Sequence, residues 1–453
     1  PPGPRYPSLV QGIGLWTRPL AFLERLRARY GNRFTVRFPL APPFVILTDP
    51  DEIREVFMAP PDVLHPGEGA RVLEPLVGKN SLILLDEAAH MEQRKLLLPA
   101  FHGEKMGLLG GLMTKVAERE VASWPRGEEI ELQPRMQRLT LEIILRAVFG
   151  LDPGPRLDAL RDGLSRLLAF GDRPISLVPP DPEGRAARVL EKVGPFAQFV
   201  RLQAVTDRLL FEQIDERRAE RRSLRGGPNP LLAQDGNRDD VLAMLLEARH
   251  EDGSPMSSQE LRDELMTLLV AGHETTATSL AWAFERLARS PRVLGRLVEE
   301  LDSGDETYLT ATIQETLRRR PVLPNVEPRL VKRPFEVRGR TYPVGVCLVP
   351  NAYLLHHDPD IYPDPYEFRP ERFLDEPPGT YTWIPFGGGR RRCVGASFAL
   401  LEMRIVLRAV LSACELQAGG TEAEPTRRRN ITIRPAAGAR VRLRARRPAA
   451  VAA

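Results

Sequence analysis

The stretch that decides the fold is FGGGRRRCVG, which runs from Phe386 to Gly395. Its three consecutive glycines permit positive φ and bring the backbone close to a flat ligand. Cys393 lies where a last long helix, predicted over Val394–Cys414, is about to start. Helix N-terminal amides and nearby arginines both stabilise a thiolate over a thiol. A single cysteine in this setting is typical of an axial iron ligand in a haem protein.

The same loop has a second interpretation, as a glycine-rich phosphate loop or an ordinary tight turn. A phosphate loop has a Lys-Ser or Lys-Thr pair at the start of its helix. Here Val394 and Gly395 follow the cysteine, and no such pair is present. The haem interpretation is therefore favoured.

A long helix is predicted upstream of this loop. Ser257 and Glu260 have the spacing of a capping box. The apolar pattern then continues to Phe284, and Pro291 ends it, which gives a length of roughly 50 Å. The middle of this helix, AGHETT from Ala271 onward, carries a carboxylate and hydroxyls. Such groups in a buried helix are costly unless they are hydrogen-bonded or used.

Composition sets the class of protein. The 453 residues are 42% hydrophobic and 27% charged, which predicts a folded chain with a large core. Cys347, Cys393 and Cys414 are widely spaced and odd in number, which argues against a disulfide framework and for a reducing compartment. There is no apolar run of about eighteen residues and no signal sequence. We therefore expect a soluble, cytoplasmic protein.

Neither the basic residues nor the histidines predict a further binding site. The net charge is only +4, and aromatic residues do not interleave the run Arg427-Arg428-Arg429. Solvated turns and strand faces are thus the expected setting of these arginines, and no nucleic acid is expected as a partner. The run His356-His357-Asp358 lacks a third ligand at sensible spacing, so we expect no metal there.

The overall pattern is mainly α-helical with small β-sheets. A hairpin is predicted from Phe34–Phe38 and Phe44–Leu47, and a last strand over Ala439–Arg444. No repeat or long linker divides the chain, so we expect a single domain over residues 1–453. Within it, residues 1–20 are predicted to be a Pro-rich leader, and residues 448–453 a disordered tail.

Five motifs in one order resemble the cytochrome P450 superfamily, in its soluble bacterial form. The cysteine loop matches the family's haem-binding pattern Phe-x-x-Gly-x-Arg/His-x-Cys-x-Gly. The other matching segments are His90–Arg94, Ala271–Thr276, Glu315–Arg318 and Pro370–Phe373. The resemblance covers nearly the whole chain. It implies a single P450 fold with haem b between the long oxygen-binding helix and the Cys-carrying helix, and O2 as co-substrate.

The resemblance also implies residue roles. It assigns cofactor binding to six residues, with Cys393 as the axial ligand of the iron: His90, Arg94, Arg329, Phe386, Arg391 and Cys393. It further implies a buried network of Glu315, Arg318 and Arg372 beneath the haem. The alternative for Glu315 and Arg318, which share one helix face, is a surface pair of little energetic weight.

Glu274 and Thr275 are the predicted catalytic residues. A threonine hydroxyl within a helix can bond back to the carbonyl four residues earlier, here Ala271, and Gly272 weakens the helix further. The resulting groove would hold dioxygen and water, and an acid–alcohol pair can relay the protons that O–O cleavage needs. The alternative is a helix-bending threonine beside a structural ion pair.

The predicted function is oxygen-dependent hydroxylation or epoxidation of an apolar small molecule by a monomeric enzyme. Five residues are predicted to line the substrate pocket: Thr267, Val270, Ala271, Asn325 and Val326. Its aliphatic walls fit a fatty acid, terpenoid, steroid or macrolide-like molecule. An acidic ferredoxin or flavodoxin is expected as electron donor, attracted by Arg390, Arg391 and Arg392.

Two other functions remain open at the level of sequence. A peroxide-driven peroxygenase of the same fold tends to replace the acid–alcohol pair, often with Arg-Pro, so Glu274 and Thr275 argue against it. A non-catalytic haem-based sensor or binding protein would not need Thr275.

Overall fold

A computed structural model of the chain describes residues 1–101, 105–173, 194–226 and 240–446. The predicted tail at 448–453 lies outside these residues. The α-helices are α1 Ser8–Thr17, α2 Pro19–Tyr30, α3 Pro50–Met58, α4 Pro66–Gly69, α5 Glu74–Val77, α6 Glu87–Leu97, α7 Lys105–Ala122, α8 Leu132–Phe149, α9 Pro155–Leu168, α10 Gly194–Gly226, α11 Val241–Glu247, α12 Ser258–Ala288, α13 Pro291–Ser303, α14 Thr307–Arg319, α15 Ala352–His356, α16 Arg372–Asp375 and α17 Ala396–Ala413.

Short strands form four small sheets. The strands are β1 Arg33–Val36, β2 Phe44–Leu47, β3 Leu64–His65, β4 Glu129–Glu131, β5 Arg329–Val331, β6 Phe335–Val337, β7 Arg340–Tyr342, β8 Cys347–Pro350, β9 Cys414–Ala418, β10 Thr426–Arg429, β11 Thr432–Pro435 and β12 Arg440–Ala445. The largest sheet has the order β1-β2-β8-β5-β3, and only its β2–β8 pair is parallel. The predicted β1–β2 hairpin is confirmed, as is the mainly helical architecture with small sheets.

Helix α12 is the long helix that the capping-box spacing predicts. The Ser257 hydroxyl accepts from the Glu260 amide at 3.1 Å, and the Glu260 carboxylate accepts from the Ser257 amide at 2.7 Å. Most of α12 is buried, and it packs against α8, α10, α14 and α17 within the main hydrophobic core. Most side chains of α12 therefore pack within the protein interior.

Helix α17 begins at Ala396, later than the predicted start at Val394. Cys393 thus lies in the loop just before the helix, and Gly395 is the N-cap residue. Buried residues of α17, among them Met403 and Val406, hold it against the main core. The core therefore fixes the helix that follows the cysteine loop.

The region predicted as a Pro-rich leader, residues 1–20, contains a helix. Four prolines precede it, the last being Pro7, and α1 occupies Ser8–Thr17. The segment SLVQGIGLWT contains no proline, and Leu15 and Gln11 are buried, so packing favours the helix. Of the helices described, none is long and apolar enough to cross a membrane.

Candidate active site between the long helix and the cysteine loop

One cavity brings the middle of α12 and the cysteine loop to face each other. Its volume of about 1030 Å³ is at the upper end of the range of roughly 300–1,000 Å³ for small-molecule sites. Cys393 and Phe386 line it on the side of the loop, and Ala271 and Thr275 line it on the side of α12. The cavity therefore has a thiol on one wall and a threonine hydroxyl on the other.

The glycines of the cysteine loop serve its packing on α3. Gly387 and Gly389 have φ of +68° and +64°, which confirms the predicted need for positive φ. A Cβ on Gly388 would lie 2.4 Å from the Phe57 ring, and one on Gly389 would lie 2.3 Å from the Phe57 carbonyl oxygen. The close approach that these two glycines allow is thus to Phe57.

The Cys393 side chain faces the cavity and is exposed to it. The Cys393 amide donates to the Phe386 carbonyl at 3.0 Å, which closes the loop. Surrounding protein raises the pKa of the Cys393 thiol by desolvation, while the Gly395 amide and the charges of Arg94 and Arg392 act in the opposite direction. These groups are placed to stabilise a thiolate.

A group of basic residues lines the cavity near the cysteine loop. Arg329 is only 4% exposed, and its Nη1 donates to the Val56 carbonyl at 3.3 Å. Among the described residues, its Nε has no hydrogen-bond partner. Burial lowers the pKa of Arg329 to about 10. Burial also lowers the pKa of His90, and the positive charges of Arg391, Arg94 and Arg329 lower it further, to about 3. Such a buried cation with an unused donor fits a carboxylate of a bound cofactor, such as a haem propionate.

Arg391 lines the same cavity but already has protein partners. Its Nη2 donates to the Glu327 carboxylate at 2.8 Å and to the Ile83 carbonyl at 2.9 Å, and its Nη1 donates to the Leu85 carbonyl at 2.5 Å. Glu327 was not singled out from the sequence. Arg391 therefore also ties the cysteine loop to the segment before α6.

The middle of α12 has the side-chain bond that the sequence predicts, within an uninterrupted α-helix. The Thr275 hydroxyl donates to the Ala271 carbonyl at 2.5 Å, which confirms the predicted bond. A Cβ on Gly272 would lie 3.0 Å from Ile144 of α8, so glycine allows α8 to pack closely there. Ala271, Gly272 and Thr275 all line the cavity.

Glu274 points away from the cavity, unlike Thr275. Its carboxylate accepts from Gln137 at 2.8 Å and from Arg429 at 2.9 Å. Val270 likewise packs against the main core, and the described lining includes neither residue. The placement of Val270 in the pocket is therefore corrected, because on a helix only one face borders the cavity.

The other predicted pocket residues do line the cavity: Thr267, Ala271, Asn325 and Val326. Two of them make polar contacts within the protein. The Thr267 hydroxyl lies 2.6 Å from both the Ser81 hydroxyl and the Asp263 carbonyl, and Oδ1 of Asn325 accepts from Nδ2 of Asn351 at 2.6 Å. The Thr267 hydroxyl is therefore already engaged, while Ala271 and Val326 present apolar surface to a ligand.

The predicted charge network is brought together beneath the loop. Arg318 donates to both Glu315 oxygens, at 2.7 and 2.9 Å, and both side chains are 0% exposed. Arg372 lies 3.2 Å from Glu315, and the Arg369 amide donates to the same carboxylate at 2.9 Å. Arg318 also donates to the His356 and Pro365 carbonyls. The network thus holds α14 to the segment that precedes the cysteine loop.

His356, His357 and Asp358 have structural partners. His356 Nε2 accepts from the Ile384 amide at 2.9 Å, His357 Nε2 lies 3.1 Å from Arg319, and Asp358 pairs with Arg27 at 2.5 Å. These contacts hold α15 to its neighbours.

Two groups in the site were missed from the sequence. Arg428 lines the cavity and Arg429 pairs with Glu274, so the solvated setting expected for these two arginines is wrong. Glu402 of α17 is 0% exposed, neither of its carboxylate oxygens has a hydrogen-bond partner among the described residues, and burial raises its pKa well above the usual range. Because side chains alternate between the two faces of a strand, the sequence could have indicated that Arg428 points to a different face from Arg427 and Arg429. No local sequence signal indicates that Glu402 is buried.

A thiol-bearing loop and a threonine-bearing helix that line one cavity define a haem-thiolate class of protein. Comparison with known proteins gives the family. The family profile described as Cytochrome P450 matches residues 1–441, and the chain belongs to this family.

Relatives cover nearly the whole chain. "Putative cytochrome P450 135B1" of Mycobacterium tuberculosis strain H37Rv is 40% identical, over 99% of this chain and 92% of its own. "Putative cytochrome P450 138" of the same strain is 36% identical, over 98% of this chain and 96% of its own.

Solved structures show the same fold. Cyanobacterial CYP120A1 bound to retinoic acid has a TM-score of 0.81 at 22% identity, with 98% of this chain and 99% of that chain covered. The haem domain of cytochrome P450DA has a TM-score of 0.80 at 24% identity, with 99% of this chain and 98% of that chain covered. The protein is a haem monooxygenase that uses haem b and O2.

Proposed function

We propose that this enzyme inserts one oxygen atom from O2 into an apolar small molecule, by hydroxylation or epoxidation, with electrons from a separate acidic protein. The observation that carries the proposal is the placement of Thr275 and Cys393 on facing walls of one largely apolar cavity. In hydroxylation, substrate R–H, O2, two electrons and two protons give R–OH and water. In epoxidation, the same oxygen atom adds across a carbon–carbon double bond.

Haem, when bound, supplies the iron that activates O2. Cys393 is the residue that would ligate the iron. Arg329, His90 and Arg94 would hold the propionates, since Arg329 has an unused buried donor and all three line the cavity. Phe386 lines the cavity beside the loop and would pack on the ring.

Thr275 would hold water and the protons at the oxygen-binding groove. Its hydroxyl donates its hydrogen bond to the Ala271 carbonyl, so the oxygen can still accept a hydrogen bond from a water in the cavity. Glu274 lies behind it on the same helix, held by Gln137 and Arg429. We assign Glu274 to proton delivery by rotation of its side chain from Arg429 toward Thr275.

The electron donor would dock at the cysteine loop. Arg390 and Arg392 are exposed there, whereas Arg391 is engaged by Glu327 and by backbone carbonyls. Arg390 and Arg392 are therefore the residues of this loop that would attract an acidic ferredoxin or flavodoxin. Cys347 and Cys414 are buried free thiols, which is consistent with a reducing cytoplasm.

The replacement Thr275→Ala tests the proposal. We expect the variant to consume reductant at a rate close to that of the wild type, to release hydrogen peroxide, and to lose about tenfold or more of its product per electron pair. Thr310→Ala is the matched control, because Thr310 makes the same type of bond, to the Glu306 carbonyl at 2.9 Å, outside the cavity lining.

Two results would decide for the alternatives. Faster turnover with peroxide than with O2 and reductant, unaffected by Thr275→Ala, would identify a peroxygenase. An absence of product with every apolar substrate that shifts the Soret band, in wild type and variant alike, would favour a sensor.

A further inference from the structure

The hairpin of β10 and β11 presents neighbouring arginines to different surroundings. Arg428 is opposite Ile433 in the register, and Arg429 is opposite Thr432. Successive side chains of a strand point to opposite faces. Accordingly, Arg429 reaches Glu274 of α12, while Arg428 lines the cavity together with Ile431.

Arg428 has little compensation from the protein. Its Nε donates to the Asn430 carbonyl at 2.7 Å. Two acidic groups that contact the hairpin are paired with other arginines, since Asp172 pairs with Arg434 at 2.9 Å and Glu274 with Arg429. Among the described residues, no carboxylate lies within ion-pair distance of Arg428. Arg428 is half-buried on the wall of the cavity, and a cation placed there without an anion is suited to an anionic ligand.

Arg428 is on a different element from the basic group that fits the haem propionates. It belongs to the separate β10–β11 sheet, whereas Arg329 is on β5 of the largest sheet and His90 and Arg94 are on α6. The charges of Arg391, Arg94 and Arg329 all act on the pKa of His90, but burial alone lowers the pKa of Arg428, to about 10. Arg428 remains protonated at neutral pH with that value. The cavity therefore has two separate cationic regions, and the haem accounts for one of them.

Much of the remaining cavity lining is apolar. It includes Leu73, Val322, Leu323, Val326 and Ile431. A ligand that satisfies both this surface and Arg428 has an apolar body and one anionic end. The planar guanidinium binds a carboxylate through two parallel hydrogen bonds, which favours a carboxylic acid.

We propose that Arg428 binds the carboxylate of the substrate, so that the substrate class is a long-chain apolar monocarboxylic acid. This inference rests on the proposed monooxygenase function and narrows its substrate.

The test is a titration of the ferric holoenzyme with saturated acids from dodecanoic to icosanoic acid and with their methyl esters. Binding is followed by the Soret shift and by calorimetry. For the best chain length, we expect the acid to bind about tenfold to a hundredfold more tightly than its ester. Arg428→Gln should abolish this preference, and Arg428→Lys should keep part of it. Arg427→Gln should keep all of it, because Arg427 is exposed on the same strand.

Equal affinity of the wild type for acid and ester, or an unchanged preference in Arg428→Gln, would overturn the proposal. Should Arg428→Gln fail to take up haem, the wild-type comparison and Arg428→Lys still decide it. If the acid preference is missing but neutral apolar substrates are still oxidised, only the carboxylate site is wrong. If no apolar compound is oxidised, the monooxygenase proposal itself fails.

Discussion

At the scale of single residues, Arg329 and Arg428 line one cavity but are expected to bind different groups. Arg329 has a buried Nε without a partner among the described residues and lies in the basic group near the cysteine loop. Arg428 lies in the other cationic region. We expect Arg329→Gln to increase the rate of haem transfer to apomyoglobin by about tenfold or more, because a charge-assisted hydrogen bond to a propionate is lost.

Arg428→Gln is the matched control for this prediction, since it removes the same charge from the same cavity. It should lose haem at the wild-type rate. Equal acceleration by both replacements would mean that the cavity retains haem by its overall positive charge and that the two regions are not distinct.

The residues that sequence could predict are those in local motifs. Cys393, Thr275 and the Glu315–Arg318 pair stand in short patterns whose spacing is physically meaningful, so each can be named from the sequence alone. Glu327, Arg428 and Glu402 could not, because their roles arise from partners far away in the chain, such as Arg391 for Glu327. Glu274 shows the same limit, since its partner Arg429 is 155 residues distant.

At the scale of elements, the first half of α12 holds the segment before α6 through a buried acid. Glu264 accepts from the Leu82 amide at 2.7 Å. Burial raises its pKa to about 8, and the charges of Asp263 and Glu260 also raise it, while the hydrogen bond from the Leu82 amide lowers it. Between about pH 4.5 and 8 the folded state therefore keeps a proton that the unfolded chain releases. Stability from this group falls as the pH rises through that window.

Glu264→Gln should remove this pH dependence, because the glutamine oxygen can still accept from Leu82. We expect the free energy of unfolding of the variant, relative to the wild type, to rise steadily from pH 5 to pH 8, by a few kcal/mol in total. Urea unfolding of both holoenzymes at each pH measures this difference. A constant difference over this range would show that Glu264 is ionised in the folded protein.

The network of Glu315, Arg318 and Arg372 joins α14 to the segment before the cysteine loop. Glu315→Gln leaves the two buried guanidinium groups without their anion, which should cost about 3–5 kcal/mol and reduce haem retention. Urea unfolding and the haem content after purification are the measurements. Arg440→Ala is the control, because its ion pair with Glu129 is about half exposed and should contribute less than about 1 kcal/mol. If both replacements lowered the free energy of unfolding equally, the buried network would contribute no more to stability than an exposed ion pair.

Elements were predicted best where local signals agree. The capping box and the apolar period place the start of α12 to within one residue, and the β1–β2 hairpin follows from two β-rich runs around a proline turn. The start of α17 was placed too early, because loop contacts such as the bond from Cys393 to the Phe386 carbonyl delay it. Helix α1 was missed because the prolines before it dominated the composition of that stretch.

At the scale of the whole molecule, the net charge of +4 is modest. We therefore expect the local charge around the cysteine loop to determine how the proposed electron donor approaches. Arg390 and Arg392 are exposed there. Charges on the surface are screened beyond about 8 Å at physiological ionic strength and beyond about 3 Å at 1 M salt. Docking of an acidic ferredoxin at this loop should therefore weaken as salt is added.

We expect the rate of reduction by an acidic ferredoxin, measured as formation of the ferrous carbonyl complex at limiting donor, to fall about tenfold or more between low and high salt. Arg390→Gln should lower the low-salt rate about threefold and make it less sensitive to salt, because it removes one charge from the docking face. Arg5→Gln, an equal change at an exposed arginine near the N-terminus, should behave like the wild type. A rate that is independent of salt, or equally reduced by both replacements, would mean that the donor is not steered to the loop that carries Cys393.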